Sequence, residues 1–330
     1  MHKTDRIYVG GHQGLLGSAL VRRLRAAGFS NLLVANHREL ELTDPASVYQ
    51  FFAREQPQHV LLAAARVGGI LANYSFPADF IFENLSIQTN VIHAAYRSGV
   101  DRLLFAGSSC IYPKEAPQPL REESLLTGPL EFTNRSYAVA KIAGIEMCWA
   151  YNRQHRTRYL GAMFTNLYGV GDNYHPTDSH LIPALIRKTH DARMNNEREV
   201  VVWGTGTPRR EFLYADDAAD ACLFLLTLPG DQFAALTSGE DRPPLINVGW
   251  GSDMTIREVA EIVAEVIGFS GKLVFDATKP DGTLRKLLDT SYLNSLGWKP
   301  QTNFREGLRL SYHDFCSRVA EQHAALEVRR

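Results

Sequence analysis

Ser108, Ser109 and Cys110 stand together in the stretch FAGSSCIYPK, directly after the apolar run Leu103-Leu104-Phe105-Ala106 and Gly107. One hydroxyl at a strand end is ordinary turn chemistry, and a cysteine is often only a small buried hydrophobe. Two hydroxyls and a thiol side by side can also move protons. Downstream, NRSYAVAKIAGIEMCWAYNRQ reads as a helix from about 135 to 154, and it carries Tyr137 and Lys141. Four residues apart on a helix is one face. A phenol titrates near ~10, too high for acid–base work at neutral pH. An ammonium ~4 Å away, at an effective dielectric of ~20, is worth about 4 kcal/mol, which could lower a phenol by up to ~3 pKa units. Such a tyrosine can protonate a carbonyl oxygen while a strand-end serine orients it. The pair by itself also occurs by chance in many helices. Its placement after a strand ending in Ser108 is what gives it weight.

The elements that must position these groups alternate. Ile7-Tyr8-Val9 is a short β-rich run, followed by Gly11-x-x-Gly14-x-x-Gly17 and a helix beginning near Leu15. Strand, glycine turn and helix in this order let a backbone approach a pyrophosphate, with free N–H groups and a positive dipole end waiting. NLLVAN (31–36) is the next strand and HVLLAAA (59–65) is a fully apolar one. A long helix is expected from about 77 to 98, with Ile81, Leu85, Ile92 and Ala95 on its apolar face. The alternation predicts an α/β protein with a Rossmann-like, doubly wound parallel sheet, whose ligands bind beyond the carboxyl ends of the strands.

The second strand's tip bears on the dinucleotide. An NAD site puts Asp or Glu there for the ribose 2′-hydroxyl. Here the tip reads Asn36-His37-Arg38, with a carboxylate only at Glu39. A cation suits a 2′-phosphate, so NADP(H) is the expected cofactor, with Gly11, Gly14, Gly17, Gln13, Arg38, Tyr137 and Lys141 around it. Arg38 as a plain surface residue is the alternative.

Composition limits the rest. With 330 residues, 45% hydrophobic and a formal net charge of -1, nothing points to nucleic acid or a membrane surface as partner. VLLAAARVGGI is too short and too interrupted to span a bilayer. MHKTDRIYVGG has no signal-peptide hydrophobic region. Cys110, Cys148, Cys222 and Cys316 lie far apart, without metal-site or disulfide-framework spacing. A cytoplasmic protein with no metal is expected.

The glycine turn, Ser108 and Tyr137-x-x-x-Lys141 resemble the extended short-chain dehydrogenase/reductase family. The likeness runs through AAARVGGI, GSSCIYPK, YAVAKIAG, TNLYG, DNYHPTDSHLIPALI, VVWGTGTPRREF, INVG and KPDGTLRKLLD, and within the family it is to enzymes of GDP-linked ketosugars. The resemblance implies inversion of carbons 3 and 5 of GDP-4-keto-6-deoxy-D-mannose and NADPH-dependent reduction of its 4-ketone, giving GDP-L-fucose. It makes Ser108, Tyr137 and Lys141 the reductase triad, Cys110 and His180 the epimerisation pair, and a homodimer through helices 77–98 and 135–154 the expected assembly. The pair has a physical use. Both carbons flank a ketone, so inversion removes a proton from one face and delivers one to the other. A thiol titrating ordinarily near ~8.5 and an imidazole near ~6.5 suit that at neutral pH. His180 alone, at the start of an apolar helical pattern, reads as a cap. Two departures stand out: Gln13 and His37 occupy positions where the family often has arginine for the 2′-phosphate.

Past Gly169 the alternation loosens, with Pro176, Pro183 and Pro208 interrupting it. We expect a smaller, interleaved α/β lobe for the nucleotide sugar from 169–211 and 251–330, against a dinucleotide domain of 1–168 and 212–250, with TSGEDRPP an exposed loop. VVWGTGTPRREF brings Trp203, Arg209 and Arg210 together, and guanidinium forks suit a diphosphate. The resemblance places Arg210 in the substrate site, with Trp203, Asn166, Lys188 and Lys286 as further candidates. Neighbouring chemistries remain: a GDP-colitose-forming enzyme would invert carbon 5 alone on a 3,6-dideoxy ketosugar, and a non-catalytic NADP sensor would need none of the five groups.

Overall fold

The computed structural model describes residues 1–327 apart from Thr177 and Pro280. Its centre is a six-stranded parallel sheet. β1 (Ile7–Gly10), β2 (Leu32–Leu33), β3 (His59–Leu62), β4 (Arg102–Ser108) and β5 (Tyr159–Phe164) are joined by a late strand, Leu245–Val248. The order is β2-β1-β3-β4-β5 and then Leu245–Val248, so chain progression reverses between β1 and β3. That reversal opens a crevice beyond their carboxyl ends.

Alternation along the strands feeds two cores. Ile7, Val9, Leu61 and Leu104 point to the face covered by helix α1 (Leu15–Ala26) and the later helix Ala215–Thr227. Tyr8, Val60, Leu62, Leu103 and Phe105 point to the face covered by α2 (Pro45–Glu55), α4 (Pro77–Arg97) and α5 (Arg135–His155); the short α3 (Ile70–Ser75) precedes α4. Each such large side chain contributes roughly 1.5–3 kcal/mol on burial. Local signals agree with the elements. Asp44 accepts from the N–H groups of Ala46 and Ser47, with Pro45 opening α2. At Gly144, a Cβ would lie 2.5 Å from the Phe105 ring. The missing side chain lets α5 close onto β4, which brings Tyr137 and Lys141 towards Ser108.

Four expectations need correction. β2 is two residues long, not six: from residue 34 the chain leaves the sheet for a turn built on Asn36. β3 ends at Leu62; Ala63 N–H still donates to the Gly10 carbonyl (3.0 Å), and beyond it the Ala64 backbone packs against Gly11. On α4 the buried ridge is Phe80, Ile87, Val91, Ile92 and Ala95, whereas Ile81 and Leu85 are only half-buried. Pro183 does not interrupt helix Leu181–Met194, since it sits in the first turn where its missing N–H costs nothing. Residues 238–243 form a mostly exposed loop.

A third core joins Ile182, Leu185, Ile186, Val202, Val259, Val263 and Phe315. Over it lie a parallel pair, Glu199–Trp203 with Lys272–Asp276, and a three-stranded sheet ordered Met254–Thr255, Arg209–Arg210, Arg285–Lys286. The chain then returns: Leu288 packs in the α4/α5-side core, and Leu293 and Trp298 in the α1-side core.

Candidate active site

The glycine turn is built for a backbone-to-phosphate approach. Gly11 has φ +82, and a Cβ on it would meet Ala64 backbone at 2.7 Å. A Cβ on Gly17 would lie 2.0 Å from the Gly11 carbonyl. Gly14 caps α1 with no side-chain hydrogen bond, leaving the first-turn N–H groups directed out of the turn. A dinucleotide pyrophosphate fits this cradle, with Gln13 exposed at its edge. At the β2 tip, Asn36 Oδ1 accepts from the N–H groups of Arg38 (2.9 Å) and Glu39 (3.2 Å), while Glu39 Oε2 accepts from Asn36 N–H at 2.9 Å. The nearest carboxylate is thus folded into its own turn. The Arg38 side chain is exposed, and His37 is exposed beside Glu41 at 3.7 Å.

Ser108 ends β4, and its hydroxyl accepts from Cys110 N–H at 3.3 Å. Lys141 is 2% exposed; its Nζ donates to the Ala106 carbonyl at 2.9 Å and lies over the rings of Phe105 (4.7 Å) and Tyr137 (5.8 Å). Here the expectation of a phenol lowered by its neighbour fails for the protein alone. Burial pushes Tyr137 up, reinforced by Cys110 and opposed by hydrogen bonding to Ser108, and burial pulls Lys141 down to about 7. Desolvation outweighs the attraction, because both groups sit in one apolar pocket and neither brings a counter-ion.

The thiol is held from two sides. Asn134 Nδ2 donates to Cys110 Sγ at 3.1 Å, and Lys286 Nζ stands 3.7 Å from the same sulfur. Asn134 is the N-cap of α5 yet makes no cap hydrogen bond, and its Oδ1 is shut from solvent without a partner. A used Asn cap is typically worth ~1 kcal/mol. Desolvation pulls Arg210 down, with Cys110 and then Asp281 pulling it back up. His180 caps helix Leu181–Met194 without a side-chain cap bond. The preceding Ser179 carbonyl lies against Gly69, and the Asp178 carboxylate lies by Gly68. His180 keeps solvent access, yet desolvation by the surrounding walls lowers it, partly opposed by Asp178.

Strand alternation sorts the cations of the second lobe. Arg209 and Arg285 share one carboxylate whose side chain is nearly shut from solvent, Asp253: Arg209 Nε donates at 2.7 Å, and Arg285 Nε takes the other oxygen. Burial pushes Asp253 up, but the bonds from Arg285 and Arg209 hold it below the usual range. Arg210 and Lys286, paired in register on the same two strands, are in no ion pair among the described residues. The other candidates are less concentrated. Asn166 Nδ2 donates to the Glu211 carbonyl (2.9 Å), and Lys188 Nζ to the Val201 carbonyl (2.7 Å). Trp203 is 65% exposed, with Lys279 5.5 Å from its ring.

Sequence reasoning missed Asn134 and Glu211. Glu211 is fully buried; its carboxylate accepts from Gly251 N–H (2.7 Å) and Leu288 N–H (3.0 Å), tying both returning segments to the Arg210 strand. A signal existed: an acid wedged between two arginines and the apolar Phe212–Tyr214 strand must find donors indoors. Asn134 carried none beyond being a good cap type.

Residues 7–235 match the NAD dependent epimerase/dehydratase family. GDP-L-fucose synthase 1 of Arabidopsis thaliana is 55% identical over 320 residues, covering 97% of this chain and 96% of its own. GDP-L-fucose synthase of Escherichia coli (strain K12) is 50% identical over 313 residues, 94% and 96% respectively. Among solved structures, a GDP-mannoheptose C4 reductase from Campylobacter jejuni with NADP bound superposes with a TM-score of 0.86 at 38% identity, covering 96% of this chain and 99% of its own.

Proposed function

The chain belongs to the NAD dependent epimerase/dehydratase family, and from that premise we propose that it converts GDP-4-keto-6-deoxy-D-mannose to GDP-L-fucose as a bifunctional 3,5-epimerase and NADPH-dependent 4-reductase. The observation that carries this reading is Cys110, gripped by Asn134 and Lys286 immediately beside the Ser108–Tyr137–Lys141 group. A reductase alone has no use for a positioned thiol there.

NADPH, when bound along the glycine turn, supplies the hydride. Tyr137, facing Ser108, carries the proton for the 4-oxygen, and Ser108 orients that oxygen. Lys141, held on the Ala106 carbonyl, supports the phenol from behind. Cys110 and His180 exchange protons with the carbons flanking the ketone, while Tyr137 stabilises the enolate oxygen. Arg210 and Lys286, in no ion pair among the described residues, hold anionic and polar parts of the sugar nucleotide, with Trp203, Asn166 and Lys188 as its outer contacts. Arg38, with Gln13 nearby on the turn, favours the 2′-phosphate.

In the same reading residues 1–168 and 212–250 form the dinucleotide lobe, and 169–211 and 251–330 the sugar-nucleotide lobe, stapled to the first by Leu288, Leu293 and Trp298. A cytoplasmic homodimer through α4 and α5 completes it. Support comes from four free cysteines and from Phe82 (66% exposed) and Val139 on those helices. No helix among the described residues is long and apolar enough to cross a membrane. The deciding experiment is product analysis after incubation with NADPH and either GDP-4-keto-6-deoxy-D-mannose or its 3-deoxy analogue. GDP-L-fucose from the first is expected. A product with unaltered carbon 3 and 5 configuration, or turnover of the 3-deoxy ketone alone, would overturn the assignment.

A further inference from the structure

We propose that Asn134 is a positioning residue of the epimerase step, fixing the Cys110 sulfur through its side-chain amide. The inference rests on the function proposed above. Asn at a helix N-cap ordinarily turns its side-chain oxygen onto the N–H groups of the first turn. Here it caps nothing: Nδ2 donates to Cys110 Sγ at 3.1 Å, and Oδ1 is left buried and unpartnered. The residue gives up two ordinary satisfactions at once, and the sulfur contact is what the side chain makes instead.

The placement suits the task. Asn134 opens the helix that carries Tyr137 and Lys141, so the amide ties the thiol to the same rigid element as the reductase hydroxyl. From the other lobe Lys286 Nζ reaches the sulfur at the looser distance of 3.7 Å. Of the two, the amide is the fork that sets direction; a lysine head on a flexible stem is a point charge. Inversion at a carbon needs the sulfur aligned with one C–H bond. A misplacement of about 1 Å in a reacting group costs on the order of 10²-fold.

Two readouts separate the steps. Deuterium wash-in at carbons 3 and 5 of the ketosugar, in D2O with NADP+, reads the epimerase step. Pre-steady-state formation of NADPH from GDP-L-fucose and NADP+ reads the hydride step in reverse, which needs no epimerisation. Asn134→Ala should slow exchange by ~10–100-fold, with reverse hydride transfer within about 3-fold of wild type. Asn134→Asp keeps the size and regains a capping oxygen but loses the N–H donor, and should fail at exchange as Ala does. Restoration of wild-type exchange by Asp would overturn the proposal and make Asn134 a helix cap. Equal losses in both readouts would overturn it as well, since the residue would then act on the whole site. Wild-type protein showing no exchange at either carbon would bring down the epimerase reading itself, and this proposal with it.

Discussion

Replacing Lys141 by methionine should make the cofactor-free protein more stable and catalytically dead. Lys141 is buried, and burial holds it near 7 against 10.5 in the open chain. Between those values the unfolded chain binds the extra proton, so unfolding free energy must rise with pH across that window. Below about 7 the lysine is charged in both states and its full penalty is present; above ~10.5 the penalty is gone. The difference of 3.5 units corresponds to at most ~5 kcal/mol at ~1.4 kcal/mol per unit. Methionine fits the same channel but leaves the Ala106 carbonyl unsatisfied, at a cost of ~1–3 kcal/mol, and loses the cation contacts with Phe105 and Tyr137. The net gain at neutral pH should be ~1–3 kcal/mol, a few degrees in Tm for a chain of this size. The assay is thermal unfolding of nucleotide-stripped wild type and Lys141→Met from below pH 7 to above pH 9. Wild type should gain stability with pH relative to the variant, and the two curves should cross towards the alkaline end, where only the variant's unsatisfied Ala106 carbonyl still counts. A variant less stable by the same amount at every pH would refute the reasoning and make Lys141 an ordinary structural residue.

Three other outcomes are expected. Cys110→Ser should bind NADPH normally yet lose deuterium exchange at carbons 3 and 5; undiminished exchange would return the thiol to the role of a small buried residue. Arg38→Ala should lower kcat/KM for NADPH by about 5–150-fold, the range of one charge-assisted contact of ~1–3 kcal/mol, and leave the NADH value nearly unchanged; equal losses would remove Arg38 from cofactor choice. Glu211→Gln sets an amide N–H against one of two backbone donors, so unfolding should show a loss of ~1–3 kcal/mol and steady-state kinetics a raised KM for the ketosugar; unchanged KM would mean that Arg210 and Lys286 keep their places without it.

How far the sequence could be read depended on how local each cause is. The glycine turn, α1, α4 and α5 follow from spacing within a few residues, and the sheet followed from their alternation with apolar runs. β2 could not be bounded: Asn31 to Asn36 has strand composition, but the Asn36–Glu39 turn takes the backbone away after Leu33. The ridge of α4 was misplaced because its neighbours decide it: Phe80 meets Tyr137 of α5 and Ile87 joins the core on the sheet, and no periodicity in α4 alone reveals where those lie. For the protein alone the Tyr137 direction differs from expectation for a related reason. A pairwise charge argument sees Lys141; it does not see that the same pocket desolvates both groups.

The same distinction explains how the second lobe separates ion-paired cations from unpaired ones. Four basic residues, Arg209, Arg210, Arg285 and Lys286, lie on two paired strands, and composition treats them alike. The pleat does not. Successive side chains alternate across a strand, so Arg209 and Arg285 fall together on Asp253, while Arg210 and Lys286 fall together near Cys110. Asp253 is 5% exposed on its side chain, and two guanidinium partners satisfy both of its oxygens. The opposite pair makes no ion pair among the described residues, and Glu211, the nearest acid in sequence, is kept from it by spending its oxygens on the N–H groups of Gly251 and Leu288. In the proposed reading these cations meet a diphosphate, and cations already paired would have to be freed before the ligand could bind. Brace on one face and unpaired charge on the other is the arrangement that holds positive groups close together while leaving them open to an anionic substrate.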